Sequence, residues 1–353
     1  MYETLCDISA FQLLRTPPQV LAAMPAVPNA CDDKTRSKLK RHPLVQHVLG
    51  PVVHLMVTDR RKRSSAKCIQ SHLASTELPF GSVMTTDLGI NVTSPLFTLL
   101  QLAQHLSEER LIMAMYELCG TFTVFKPSHE IELMLADSES ADRQRTTDDW
   151  ERVQNCSGQL TNLWRRKPLI SVEELRQFAI TTKGMRGNRR FAKAAATVTG
   201  ITASPFEAQM SILLARSRRK GGEGLSAFQN NYRIPLNPIA SMLANRATCC
   251  ADMLFDQQRG EKPLIIECQS RIAHDSAASA VSDSNRVIAL QHMGFEVMLV
   301  SYEQISRADH FDALRRLIAS RLGIAYRDKT RNLRKREHEL RRNIFIDWET
   351  LAA

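Results

Sequence analysis

The chain has few features that would cross-link it, anchor it in a membrane or direct its secretion. Its eight cysteines include no C-x-x-C pair and follow no basic, apolar leader, so we expect neither zinc nor a disulfide framework. No segment approaches the roughly 18 uninterrupted apolar residues that a membrane-spanning helix requires. The sequence therefore predicts a cytoplasmic protein without membrane contact.

Aromatic residues are also scarce, at 6% of the chain, which argues against a stacking platform for single-stranded nucleic acid. Basic residues outnumber acidic ones by 47 to 37, and the resulting formal charge of +10 favours a polyanionic partner. We therefore predict contact with duplex DNA, although each basic cluster has the alternative of being a solvated face. The clusters are Arg60, Arg61, Lys62 and Arg63; Arg216, Arg218, Arg219 and Lys220; and Arg331, Arg334, Lys335, Arg336, Arg341 and Arg342.

The length of 353 residues, with 43% apolar residues, is sufficient for two domains with cores of their own. The run from Asp137 to Ser157 is polar and acidic and predicts a flexible connector. Ser171-Val172-Glu173-Glu174 fits a capping box at the start of a helix. We predict a mixed α/β domain that binds DNA or a partner at 1–136, an acidic linker and helical bridge at 137–200, a second α/β domain at 201–326 and a basic helical tail at 327–353.

The N-terminal domain contains three recognisable elements. Residues 51–57 are typical of a strand, and a second β-prone run ends near His72. Residues 96–119 form one long amphipathic stretch, for which Ser94 is a candidate cap and Pro95 a candidate first helical residue. These elements together predict a mixed α/β fold.

Two short apolar runs in the C-terminal half each carry one carboxylate. They are Ala251–Phe255, with Asp252, and Lys262–Gln269, with Glu267, and a polar turn separates them. This pattern predicts a hairpin. Since Asp252 and Glu267 would lie near the ends of paired strands, they could converge and bind a divalent cation through oxygen ligands.

The elements around this hairpin follow a defined order. A helix is predicted to start at Ser204-Pro205. The glycine-rich residues 221–224 interrupt regular structure before a strand at 232–236. After the hairpin come a helix that starts at Ser282-Asp283 and stops at Gly294, a strand at 295–301 and a helix at about 310–322. The predicted order is helix, three strands, helix, strand, helix.

At this point the residues resemble the very-short-patch-repair-like branch of the PD-(D/E)xK nuclease superfamily, over roughly residues 200–325. The resemblance is carried by Glu207, Asp252, Glu267-x-Gln269, His274, Asp283-x-x-Arg286 and the segment 293–297. It implies a restriction-endonuclease-like α/β fold with a central mixed sheet flanked by helices. It also implies a Mg²⁺ (or Mn²⁺) site at Asp252 and Glu267, with His274 as a candidate proton-transfer group.

Such a site would hydrolyse DNA phosphodiester bonds, because a carboxylate-held Mg²⁺ neutralises the scissile phosphate and activates water. Glu207 would bind through a metal-bound water or orient a base, and the backbone carbonyl of Cys268 would complete the oxygen shell. Gln269 departs from the acid or lysine common in related sequences, because a neutral amide can neither take a proton nor stabilise charge as an ammonium does. Arg286 is predicted to contact DNA together with Arg60–Arg63 and Arg218–Lys220.

Several alternatives remain open at the level of the sequence. Taken singly, Asp252 and Glu267 are better explained as exposed carboxylates at strand ends, whereas their order together with Glu207 favours a shared site. His274 has the alternative of a solvated loop histidine, Asp283 of a helix cap, and Arg286 of its i,i+3 partner. A segment from Val92 to Ala103 is similar to one in abortive-infection, type IV antitoxin-like proteins. The leading hypothesis is therefore an endonuclease in defence or repair; the second is a catalytically weakened DNA-binding regulator or antitoxin-like protein, and the third is an interaction protein.

Overall fold

The computed structural model describes residues 4–25, 41–63, 66–74, 77–141, 150–155, 157–256, 262–269 and 277–352. Within them the chain is a mixed α/β protein, as predicted, with three sheets flanked by helices. Among the described helices, none combines the length and the apolar character needed to cross a membrane.

The strands fall into three sheets. The first has the order β3-β2-β1-β5-β4, the second β6-β8-β7 and the third β12-β11-β10-β9. Their bounds are β1 Thr4–Leu5, β2 Val53–Val57, β3 Ile69–Leu73, β4 Val83–Thr85, β5 Asn91–Thr93, β6 Phe122–Val124, β7 Glu151–Gln154, β8 Leu160–Arg165, β9 Gln229–Pro235, β10 Thr248–Phe255, β11 Leu264–Gln269 and β12 Glu296–Ser301.

The α-helices connect and cover these strands. Their bounds are α1 Asp7–Leu14, α2 Pro18–Ala22, α3 Pro95–Leu102, α4 Glu108–Cys119, α5 His129–Ala141, α6 Val172–Thr181, α7 Asn188–Ala195, α8 Pro205–Ala215, α9 Pro238–Ala244, α10 Ala277–His292, α11 Tyr302–Ser306, α12 Ala308–Arg321 and α13 Arg331–Ile344. Short 3₁₀ helices span Arg60–Lys62, Arg218–Lys220 and Trp348–Thr350, and a π-helical turn spans Val45–Leu49.

The first sheet confirms the two strands predicted before residue 75, as β2 and β3, which pair in parallel. The prediction of one long helix over 96–119 is wrong, because the chain forms two helices, α3 and α4. Pro95 is the first residue of α3, but the Ser94 side chain makes no capping hydrogen bond. Ser107 instead caps α4, since its hydroxyl accepts a bond from the backbone N–H of Arg110 at 3.2 Å.

The predicted flexible connector from Asp137 to Ser157 is also wrong where the structure describes it. Helix α5 continues to Ala141, and β7 joins an antiparallel sheet with β8 and β6. Arg152 on β7 donates to both carboxylate oxygens of Glu132 on α5, at 2.8 and 2.9 Å. Arg152 therefore joins this sheet to α5 instead of lying in a solvated connector. The capping box at Ser171 and Glu174 is confirmed.

The third sheet has the predicted order of elements, with the short helix α9 in addition. Strands β9, β10 and β11 are antiparallel, whereas β11 and β12 are parallel and are connected through α10. Helix α10 begins at Ala277, before the predicted start at Ser282, so Asp283 lies inside the helix and is not its cap. The helix is followed by Gly294, whose φ of +91° favours glycine at the predicted stop.

The largest apolar core is continuous across the chain. It extends from Phe11 to Ala352 and contains members from each of the four predicted segments. Helix α13 contributes Leu340 and Ile344, which are 2% and 0% exposed. Arg341 on the same helix is buried and donates to the carbonyl of Ile305 at 2.6 Å, so it is not part of a solvated basic face.

One buried ion pair joins the beginning, the middle and the end of the described chain. The Nε and Nη2 atoms of Arg15 donate to the two carboxylate oxygens of Glu117, each at 3.0 Å, and Nη2 also donates to the carbonyl of Trp348 at 3.0 Å. Glu117 also accepts bonds from the Thr123 hydroxyl and the Val124 N–H. Because both charges are shielded from water, each depends on the other for its solvation.

Glu117→Gln should lower the free energy of unfolding by about 3 to 5 kcal/mol, because it leaves the Arg15 guanidinium buried without its carboxylate. The matched control is Asp309→Asn, which removes an exposed ion pair with Arg307 at 2.9 Å and should change the stability far less, because solvent screens this pair. Urea unfolding followed by tryptophan fluorescence measures both. Equal small losses in the two variants would contradict the role assigned to the buried pair.

Candidate metal centre at the third sheet

The antiparallel pairing of β10 and β11 brings Asp252 and Glu267 together. Met253 pairs with Ile266. At the next position of this antiparallel register, Asp252 therefore lies opposite Glu267. The side chain of Asp252 reaches across to β11, where its Oδ2 atom accepts a hydrogen bond from the backbone N–H of Cys268 at 2.7 Å. The hairpin and the closeness of its two acids are therefore as predicted.

Glu267 is not an exposed carboxylate at a strand end, because it is only 2% exposed. Its Oε2 atom accepts a bond from Nη2 of Arg286 at 2.8 Å, and Arg286 also donates to the carbonyl of Cys250. Its Oε1 atom is buried and has no hydrogen-bond partner within the described part of the chain. An unpaired buried carboxylate oxygen is costly, which makes it a candidate ligand atom for a cation.

Glu207 lies in the first turn of α8 and is 7% exposed. Ser204 is the N-cap of this helix, and its hydroxyl donates to Oε1 of Glu207 at 2.7 Å. The backbone N–H of Ala203 donates to Oε2, also at 2.7 Å. Glu207 therefore stabilises the start of α8, whether or not it also belongs to a metal site with Asp252 and Glu267.

The three carboxyl groups are electrostatically coupled. Burial, reinforced by the charge of Asp252, raises the pKa of Glu207 from 4.5 to about 8. Burial and Asp252 raise the pKa of Glu267 to about 8 as well, against the opposing effect of Arg286. Burial and the same three acids raise the pKa of the Cys268 thiol well above its usual value. Such mutual repulsion among buried acids is what a divalent cation would relieve.

The residues present fit a hard cation such as Mg²⁺ or Mn²⁺. The available donors are carboxylate oxygens, the Cys268 carbonyl and the Gln269 amide, all of which are oxygen ligands. Because the Cys268 thiol stays protonated, its backbone carbonyl is the appropriate donor. However, the ligand atoms of Glu207, Asp252 and Glu267 do not all lie within 4.8 Å of one another. His274 lies outside the described residues.

The predicted DNA-binding residues occupy different environments. Arg60, Arg61 and Arg63 are exposed around a short 3₁₀ helix, which Asp59 caps. Arg218 donates to the carbonyl of Arg327 at 2.5 Å, and Lys220 lies 2.5 Å from the Glu108 carboxylate. Arg219 is exposed. Arg286 is bound to Glu267, so its main contact is within the candidate site. The side chain of Lys62 is outside the described part of the chain.

A second group of candidate ligands was missed in the sequence. Asp7, His54 and His72 are the three His, Cys, Asp or Glu side chains, among the described residues, whose ligand atoms all lie within 4.8 Å of one another. They are far apart in the chain and follow no ligand motif. The available signal was a histidine on each of two predicted neighbouring strands, β2 and β3.

No protein-family model matches this chain, and comparison with the curated proteins and with solved structures likewise finds no match.

The stability of the metal-free protein should decrease with rising pH. A carboxyl group whose folded pKa is raised keeps its proton in the native state while the unfolded chain releases it. Its stabilisation is therefore complete below about pH 4.5 and is lost as the pH rises through about 8. Thermal melts in EDTA should show this decrease, and Glu207→Gln, which cannot ionise, should show a shallower one. Identical pH profiles would mean that Glu207 titrates normally.

Proposed function

We propose that residues 201–326 form a restriction-endonuclease-like domain of the PD-(D/E)xK type, and that the protein is a Mg²⁺- or Mn²⁺-dependent endonuclease acting on duplex DNA. The observation that carries the proposal is the pairing of β10 with β11, which brings Asp252 beside a buried Glu267 with an unpaired Oε1 atom. The family resemblance of the sequence supports the same assignment.

The topology of the third sheet supports this proposal independently of the acids. The helix with Glu207 precedes three antiparallel strands, and a crossover helix then leads to a fourth strand parallel to the third. This is the arrangement that the resemblance implies for the central sheet and its flanking helices. A parallel pair requires such a crossover, which α10 supplies here.

In this proposal Asp252, Glu267 and the Cys268 carbonyl hold the cation, whose chemistry is to neutralise the scissile phosphate and lower the pKa of a water molecule. Arg286 keeps the Glu267 carboxylate in one orientation through its bond to Oε2. Glu207 lies near enough to Asp252 for the charge of Asp252 to raise the pKa of Glu207, and its carboxyl group would orient a metal-bound water. Gln269 ends β11 opposite Ser301 of β12 and can orient water through its amide.

Wild-type protein should nick supercoiled plasmid in Mg²⁺, and Asp252→Ala and Glu267→Ala should each reduce the rate by about two powers of ten or more. Asp87→Ala is the matched control, because Asp87 is an exposed acid in the loop between β4 and β5. Nicking that survives undiminished in Glu267→Ala would mean that cleavage arises elsewhere.

Gln269→Lys should increase Mg²⁺-dependent nicking, because an ammonium supplies the charge stabilisation that the neutral amide lacks. Gln269→Asp tests the same position with a metal-binding oxygen. If both variants leave the rate unchanged while His274→Ala abolishes it, proton transfer is already supplied by His274 and Gln269 does not limit the reaction.

The second candidate function is a non-catalytic DNA-binding regulator, or an antitoxin-like protein, that keeps the fold. Two observations favour it: Gln269 is neutral, and Arg286 already neutralises one oxygen of Glu267. This candidate is distinguished from the first by DNA binding without cleavage in wild type and in Gln269→Lys alike.

Both candidates require salt-dependent DNA binding, to which the exposed Arg60, Arg61 and Arg63 should contribute. Replacing all three with Gln should reduce the slope of log affinity against log salt by about 2 to 3. Lys220→Gln should change it by less than about 1, because Lys220 is paired with Glu108. A fluorescence-anisotropy titration with a labelled duplex at several salt concentrations measures this. An unchanged slope in the triple variant would assign these arginines to a solvated face.

A further inference from the structure

The N-terminal sheet carries a cluster of titratable side chains that the proposed nuclease chemistry does not use. Asp7 is the first residue of α1, His54 lies on β2 and His72 lies on the neighbouring strand β3. One ligand atom from each residue can be chosen so that all three lie within 4.8 Å of one another. His105 adds a fourth side chain, with its Nε2 atom 2.6 Å from Oδ1 of Asp7.

The three side chains meet through both ring nitrogens of His72. Nδ1 of His54 lies 2.9 Å from Nε2 of His72, and the opposite nitrogen of His72, Nδ1, lies 3.8 Å from Oδ2 of Asp7. Ligand bonds of about 2.0 to 2.2 Å at tetrahedral angles would separate the donor atoms by about 3.3 to 3.6 Å. Since an ion binds one ring nitrogen of His72, coordination requires side-chain rotations that bring one donor atom of each residue from within 4.8 Å to this separation.

The backbone holds Asp7 in an uncommon conformation. Its φ is +53°, in the left-handed region that non-glycine residues rarely adopt. The N–H of Asp7 donates to Oε1 of Gln101 at 3.0 Å, and Gln101 is itself buried. Strain of this kind persists where the surrounding structure requires a particular side-chain position. Here it directs the carboxylate towards the histidines on β2 and β3.

The charge of the cluster is not balanced by a basic side chain as that of Glu117 is. Asp7 is 4% exposed, and its ion-pair partners among the described residues are the imidazoles of His72 and His105. Burial lowers the pKa of both His54 and His72, although the charge of Asp7 opposes this. A carboxylate buried against imidazoles is a position at which a bound cation would be stabilised.

We propose that Asp7, His54 and His72 bind one divalent transition-metal cation of the zinc class. Two imidazoles and one carboxylate are ligands that such ions accept, whereas Mg²⁺ prefers oxygen ligands alone. Asp7 and His72 also line a cavity of about 650 Å³, together with Arg63, Gln101 and Arg186. A fourth coordination position therefore faces a space with basic side chains, where an anionic ligand or a water molecule would fit. His105 fixes the Asp7 carboxylate from outside the ligand set.

The test is titration of the full-length, metal-free protein with Co²⁺, followed by its visible absorption and by calorimetry. Wild type should bind one ion with the d–d bands of nitrogen and oxygen ligands and without a thiolate-to-cobalt band. His54→Gln and His72→Gln should weaken binding by about 100-fold or more. Asp7→Asn should do the same, and it is the safest variant to fold because asparagine tolerates a positive φ and keeps the size of the side chain.

The matched control is His338→Gln on the exposed face of α13, which should bind Co²⁺ as wild type does. The titration is repeated in Asp252→Ala, which removes a ligand of the carboxylate site at the third sheet; the ion bound by Asp7, His54 and His72 should remain there, so that failure of the nuclease proposal and failure of this one are distinguishable. Wild-type affinity in Asp7→Asn, His54→Gln and His72→Gln would overturn the proposal, as would a thiolate band or no binding at all. In the last case the two histidines form a metal-free hydrogen-bonded pair.

Discussion

The ion pair between Arg15 and Glu117 is the constraint on which the arrangement of the whole molecule depends. Glu117 is 0% exposed and receives four hydrogen bonds: two from Arg15, which follows α1, and one each from Thr123 and Val124 of β6. Arg15 in turn binds the carbonyl of Trp348. Since a buried charge without its partner is strongly destabilising, these three parts of the chain can be displaced only together. The sheets that carry the two candidate centres are attached to this common core.

The two candidate centres differ in the number of acidic side chains that they contain. At the third sheet, Glu207, Asp252 and Glu267 repel one another, and Arg286 offsets only part of their charge. At the first sheet, a single buried Asp7 lies against the imidazoles of His72 and His105. The first arrangement suits a hard cation that enters with part of its hydration shell, and the second suits a cation that accepts nitrogen ligands. The two proposed centres therefore call for different classes of metal ion.

The sequence predicted those parts that depend on local pattern. The hairpin of β10 and β11, the helix start at Ser204 and the capping box at Ser171 all follow from neighbouring residues, and the structure confirms them. The three-residue strand β6 and the four-residue strand β7 are too short to show periodicity, so their sheet was missed. The break between α3 and α4 was missed because apolar spacing continued across it. Glu267 is buried by the helix packed over the sheet, and no local pattern reveals the Arg286 contact or the approach of His54 to His72.

The continuity of the main core has a consequence for synthesis of the protein on the ribosome. Leu340, Ile344 and Leu351 belong to the same cluster as Phe11, and the Trp348 carbonyl is a partner of Arg15. Until residues 340–352 have emerged, the early elements lack part of their apolar packing, and Arg15 has Glu117 but not the Trp348 carbonyl as a partner. Nascent chains that expose such surface are prone to aggregation and are bound by chaperones. The yield of folded protein should therefore depend on the supply of chaperones, even if each sheet is stable once the chain is complete.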